Sequence, residues 1–187
     1  MIEQPKDTLF KRIYDRGDLP VFVSFTGAAR QLRWRVGFDL LDYSFYLPVF
    51  FSGLPEDVEP FKFMAHQGCL DLLRAGRGKV LQLVPQLVEP LREALEQERP
   101  LMMFRCLEVI RALVRSDRGV GEALVPYYRK LLGPVNKFFR KDLEVRVDGA
   151  HTPFRLNDYI DNTLADMEAY GGDFAFVNIK YMVPTYE

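Results

Sequence analysis

One octapeptide in this chain is used twice. Gly68 to Ala75 reads GCLDLLRA, and 37 residues later Arg105 to Ala112 reads RCLEVIRA. Asp71 is matched by Glu108 and Leu73 by Ile110, so charge and branching are kept where identity is not. Leu47-Pro48, Val84-Pro85 and Val125-Pro126 form a second ladder, spaced by 37 and then 41 residues. Periods near 40 belong to arrays of helix pairs or triplets, in which no unit buries its apolar face without a neighbour. The expected fold is therefore mainly α, an armadillo/HEAT-like helical solenoid with a small N-terminal β-hairpin.

The local pattern agrees with helices. Phe104, Leu107, Ile110 and Val114 recur at intervals of three and four, with Pro100 at the start and Arg115 at the exit. Phe61, Met64, Gly68 and Leu72 form the counterpart one unit earlier, beginning after Pro60 and stopping at Gly76, with Gly68 allowing close helix packing. Pro85 and Pro126 are expected at helix starts, where a missing N–H is tolerated. Pro90 implies a kink or a later true start.

Two regions leave the repeat. Val21, Val23 and Phe25, then Leu32, Trp34 and Val36, alternate on either side of Thr26-Gly27 and predict a hairpin. Asp142 to His151 reads as loop, after which Thr152 would cap a helix with Pro153 at its first position. Leu156, Ile160, Leu164 and Met167 share one face of that helix, up to Gly171-Gly172. The tail from Asp173 to Glu187, with Phe174, Phe176, Ile179, Tyr181 and Val183, is expected to dock. The expected layout is one domain over 1–187: N-terminal helix and hairpin to 41, helical repeats over 42–141, then loop, capping helix and docked tail.

With 187 residues, 48% of them hydrophobic, the chain can bury about 70% of its unfolded surface in one core. A net charge of −1 and a pI near 6.2 argue against general attraction to nucleic acid or anionic membranes. The longest stretch without ionisable groups, Tyr43 to Pro55, is interrupted by Pro48 and too short to span a bilayer. MIEQPKDTLFKR lacks the apolar run of a secretory signal, so the cytoplasm is expected. Two cysteines, Cys69 and Cys106, and two histidines, His66 and His151, make no zinc-ligand spacing, and the cysteines read as small buried thiols. His66 reads as a helix-surface residue and His151 as a loop residue.

No catalytic constellation is found. G-x-S-x-G and H-E-x-x-H are absent, and Ala75-Gly76-Arg77-Gly78-Lys79 lacks the spacing and hydroxyl of a phosphate loop, reading instead as a helix connector. Asp158 and Asp161 read as a solvated helix face. The expectation is a protein that is not an enzyme and holds no metal or cofactor.

Charge is more informative in its placement. From Leu124 to Lys141 there are five bases, Arg129, Lys130, Lys137, Arg140 and Lys141, and no acid. From Asp142 to Asp173 there are eight acids against Arg146 and Arg155. The plain reading is that the two blocks neutralise each other. The sharper one is a basic ridge for an acidic partner surface, with Tyr127 and Tyr128 as anchors. The hairpin residues Arg30, Arg33, Trp34 and Arg35 form a second candidate partner site.

YDRGDLP at Tyr14 to Pro20, WRVGFDLLDYSFYLPVFFSGL at Trp34 to Leu54, ALVPYYRKLL at Ala123 to Leu132, and YGGDFAFVNIKYMVPTYE at Tyr170 to Glu187 resemble the parkin co-regulated gene protein family. The closing NIKYMVPTYE is the most specific, because no periodicity or turn chemistry demands it. The resemblance implies an armadillo-like cytoskeletal protein of the cilium and flagellum axoneme. It would sit on the lumenal side of doublet microtubules at the inner junction, bridging A- and B-tubules. Implied partners are α/β-tubulin and a second inner-junction protein, and an alternative role is a soluble adaptor recruiting a small partner during sperm flagellum assembly. Longer members carry an extended N-terminal arm that can wedge between protofilaments, which this sequence does not show. Within that reading the ridge of Arg129, Lys130, Lys137, Arg140 and Lys141 is the expected tubulin contact, with the hairpin arginines second.

Overall fold

A computed structural model describes residues 7–27, 29–147 and 150–187. The fold is mainly helical, with a small antiparallel hairpin. Helix α1 (Leu9–Asp15) precedes strands β1 (Val21–Thr26) and β2 (Ala29–Trp34). Then come α2 (Tyr43–Ser52), α3 (Phe61–Ala75), α4 (Val84–Leu95), α5 (Pro100–Ser116), α6 (Val120–Leu124) and α7 (Tyr128–Phe138). A two-residue ladder, β3 (Glu144–Val145) with β4 (Phe154–Arg155), leads into α8 (Leu156–Tyr170) and α9 (Ala175–Met182).

Two layers emerge from the packing. α2 packs on α4, α4 on α7 and α7 on α9, while α3 packs on α5 and α5 on α8. The two copies of the octapeptide lie on α3 and α5, in contact, and their divergent first positions explain themselves. Gly68 gives up its side chain to the Phe50 ring, which would stand 2.2 Å from an added Cβ. Arg105, its equivalent, is buried and donates from Nη2 to the Lys62 carbonyl at 2.8 Å, tying α5 back to α3. Cys69 and Cys106 are both fully buried, and burial pushes the Cys106 thiol up to about 12 and that of Cys69 well above its ordinary value.

A correspondence that no constant sequence offset reveals links two helix pairs. Tyr43, the first residue of α2, donates its hydroxyl to the Leu72 carbonyl, fourth from the end of α3 (3.0 Å). Tyr128, the first residue of α7, does the same to the Met167 carbonyl, fourth from the end of α8 (3.0 Å). Each bond satisfies a helix-terminal carbonyl that has no intrahelical partner. A glycine follows each helix, Gly76 or Gly171, because an added Cβ would stand 2.4 Å from the Tyr43 ring or 2.8 Å from the Tyr128 hydroxyl. In the middle pair the fourth-last residue of α5 is Leu113, and its carbonyl is taken by the Ser116 hydroxyl at 2.7 Å.

Two boundaries differ from the sequence reading. The proline ladder has two registers: Pro48, Pro90 and Pro134 lie inside α2, α4 and α7, whereas Pro85 stands in the first turn of α4 and Pro126 in the short turn before α7, at helix starts as expected. α4 runs unbroken from Val84, so Pro90 does not mark a later start; its missing N–H only leaves one carbonyl of the preceding turn unpaired. Thr152 and Pro153 do not open α8, because Phe154 and Arg155 are taken up by pairing with β3 and the helix starts at Leu156. Positions 148 and 149 of the predicted loop lie outside the described residues. The apolar face of α8 is as expected, with Leu156, Ile160, Leu164 and Met167 all buried.

Candidate protein-interaction surfaces

The five bases after Leu124 do not form a single ridge. Lys130 and Lys137 are seven residues apart on α7 and share a face. Both are turned toward α4 and the turn after it: Lys130 Nζ lies 3.6 Å from Glu89, and Lys137 pairs with Glu98. Arg129 points the other way, with its guanidinium 5.6 Å from the Tyr181 ring centroid on α9. Arg140 and Lys141 lie past the helix end over Phe139 and Phe138, at 4.7 and 5.5 Å. Arg140 adopts φ +63°, its amide donates to Asn157 Oδ1 (2.6 Å) and its Nη2 to the Thr185 carbonyl (3.2 Å).

Neutralisation of the lysines therefore comes from one helix earlier and not from the acidic block that follows in sequence. Asp166 in that block faces Arg111 and Arg115 of α5 instead, at 2.7 and 2.5 Å. Tyr128 cannot serve as a surface anchor, being only 1% exposed, and burial drives its hydroxyl pKa upward. Tyr127 remains partly exposed.

The tail supplies a surface that its composition concealed. α9 docks on α7 and α8 through Ala175 and Ile179, followed by Val183 and Tyr186, whose hydroxyl donates to Glu168 at 2.8 Å. The tail docks as expected, and helical phase decides which of its apolar residues take part. Phe174, Val177 and Tyr181 fall on the opposite side and are 76%, 66% and 71% exposed. Between α7 and α9 runs a groove of about 910 Å³, bordered by Pro126, Arg129, Phe174, Tyr181 and Met182. Exposed aromatics beside an arginine have the composition of a protein interface core, and singly scattered apolar residues would not.

At the hairpin the four candidates separate by role. Trp34 is a clamp: its Nε1 donates to Asp71 Oδ2 at 2.9 Å, and its ring packs at a tilt against Phe38 (centroids 5.0 Å) and Phe50 (5.2 Å). Arg30 pairs with Glu59 at 3.1 Å and covers the Phe63 ring at 4.8 Å. Arg33 and Arg35 are exposed, the first bonded to Gln31 at 2.8 Å and the second 5.7 Å over Phe22. Phe25, at the tip, stands in solvent.

His66 is half-buried and not a plain surface residue. Its Nε2 lies 3.2 Å from Glu108 Oε2, and the Tyr159 hydroxyl approaches the other oxygen of that carboxylate at 3.4 Å. Among the described residues no group of three His, Cys, Asp or Glu side chains could hold a metal ion, and no helix is long and apolar enough to cross a membrane.

Residues 8–187 match the family described as Parkin co-regulated protein (ParcG). A mouse (Mus musculus) protein, the Parkin coregulated gene protein homolog, is 41% identical over 191 aligned residues, covering 99% of this chain and 78% of its own length.

Proposed function

This chain belongs to the Parkin co-regulated protein family, and on that premise we propose that it is a non-catalytic structural brace that binds tubulin at the inner junction of ciliary and flagellar doublet microtubules. In this reading it bridges the A- and B-tubules from the lumenal side and meets a second inner-junction protein with another face. The body is an armadillo/HEAT-like solenoid, a reading supported by the serial packing of α2, α4, α7 and α9 against α3, α5 and α8. A stiff stack of this kind holds several faces at fixed spacing, and repetition along a filament multiplies contacts that are weak singly.

The observation that carries the proposal is the α7–α9 edge, where Arg129 packs over Tyr181 beside exposed Phe174 and Val177. Aromatic anchors supply contact area, and the Arg129 guanidinium supplies a charge for an acidic surface at the same edge. Arg129→Glu is expected to lower microtubule co-sedimentation roughly tenfold without changing the melting temperature. Undiminished pelleting by that variant overturns the assignment of tubulin to this edge.

The adaptor reading is favoured by a different observation, the solvent-facing Phe25 and exposed Arg33 and Arg35 of the hairpin. It requires a stoichiometric complex with a small partner in the absence of tubulin, lost on Phe25→Ser.

A further inference from the structure

The repeated octapeptide keeps a charged identity that the core does not use. Cys69 and Cys106, like Leu70 and Leu107, are buried, but Arg74 and Arg111, also 37 residues apart, both reach the surface on the α3–α5 face. There they border one cleft of about 420 Å³, joined by Arg77 from the turn after α3 and Arg115 from the last turn of α5. Four arginines line a space whose bordering acid is Glu108.

Two of the four are held in place. Arg111 donates from Nε to Asp166 and lies 5.2 Å from the Tyr159 ring centroid, and Arg115 donates from Nη2 to the other oxygen of Asp166. One carboxylate thus fixes two forks, each of which keeps further N–H donors. Among the described residues, Arg74 and Arg77 have no carboxylate within ion-pair distance. Arg74 has an ordinary alternative explanation, as a cation in the last turn of α3. That explanation does not extend to Arg77, which lies beyond the helix, or to the presence of all four around one cleft. Like charges gathered this way repel, and the arrangement gains when an anion enters.

We propose that this cleft is a docking site for an Asp/Glu-rich linear segment of a partner protein, with Arg74 and Arg77 gripping its carboxylates and Arg111 and Arg115 presented by Asp166. It goes beyond the tubulin reading, since it lies on the α3–α5–α8 layer and not on the α7–α9 edge. A peptide fits better than a nucleic acid. The chain has a net charge of −1 and so lacks the broad positive field that phosphate backbones require. The one aromatic ring bordering the cleft, Tyr159, is already covered by Arg111 and Phe104, leaving no platform for base stacking.

The test uses the full chain and a short fluorescein-labelled poly-glutamate peptide, read by anisotropy at low salt. Binding is expected, weakened roughly tenfold or more in Arg74→Glu/Arg77→Glu, and unchanged in Arg12→Glu/Arg16→Glu, which makes the same charge change on exposed residues of α1 and its C-terminal cap. Arg74 and Arg77 are exposed, so the variant is expected to keep the wild-type melting curve, and circular dichroism checks it. Absence of wild-type binding, equal loss in both variants, or an oligothymidylate competing as well as unlabelled peptide would each overturn the proposal.

Discussion

Trp34 and Tyr181 belong to the aromatic-rich segments at the two ends of the chain, and they face opposite ways. At the N-terminal end the indole packs against Phe38 and Phe50 and is bonded to Asp71, so the hairpin is latched onto α3. At the C-terminal end the segment is latched by aliphatic residues and by Tyr186, while Phe174 and Tyr181 project outward. The difference is one of period. A strand places alternate residues on the core, and Trp34 with Leu32 falls on that side of β2. A helix needs only one stripe, and in α9 Ala175 and Ile179 fill it, which leaves Phe174 and Tyr181 off the buried face, Tyr181 beside the Arg129 guanidinium. Aromatic content alone therefore does not separate a closing clamp from an open binding edge; the polar end of the ring and the helical phase do.

The largest expected effect breaks the clamp. Trp34→Ala removes the ring contacts with both phenylalanines and the indole bond to Asp71. A cost of about 3 kcal/mol is expected, the lower end for Trp-to-Ala changes in cores, because the ring is only half-buried. Denaturant unfolding followed by circular dichroism measures it. A cost below about 1 kcal/mol would put Trp34 with the surface aromatics and erase the contrast between the ends.

A second, smaller effect is pH-dependent. Burial opposes ionisation of Glu59, but its bond to Arg30 and the nearby Lys62 outweigh that and hold the carboxyl below the ordinary glutamate range. The folded pKa is thus lower than the unfolded one. The linked stability is full above the unfolded value of about 4.3 and is lost as pH falls through the folded pKa. Since Arg30 lies on β2, the hairpin end is expected to loosen in acid, seen as a red shift in the emission of Trp34, the single tryptophan. At the other end Tyr186 has its pKa raised by burial and by Glu168. Its contribution is present below the ordinary tyrosine pKa and lost as pH rises. Glu59→Gln should flatten the acid shift of Trp34 emission; an unaltered acid transition assigns it to other groups.

Both the clamp and the edge were partly legible in the sequence. The hairpin, α3 and α5 were readable because strand alternation and the three-to-four spacing act within one short window. The register of the prolines was not. Matching aliphatic-Pro strings align Pro48 with Pro85, while by position within its helix Pro48 corresponds to Pro90, a residue with different sequence neighbours. The start of α8 was misplaced because Thr152-Pro153 is a good cap locally, and only the tertiary pairing of Val145 with Phe154 overrides it. The tyrosine bonds of Tyr43 and Tyr128 join residues 29 and 39 positions apart, so no fixed offset announces them. Arg74 and Arg111 were visible as repeat identities, but their shared cleft depends on α3 and α5 lying side by side.

The smallest effect on stability carries the sharpest statement about the edge. Tyr181 is exposed and its contact with Arg129 is at the surface, so Tyr181→Ala is expected to change unfolding free energy by no more than about 0.5 kcal/mol. If the α7–α9 edge meets tubulin, the same substitution removes an anchor of the kind that dominates interfaces, and microtubule binding should fall by about an order of magnitude. A chain that melts normally and no longer pellets separates binding from folding. The reverse outcome, lost stability with pelleting kept, makes Tyr181 a second clamp like Trp34, and the two ends then differ in sequence but not in kind.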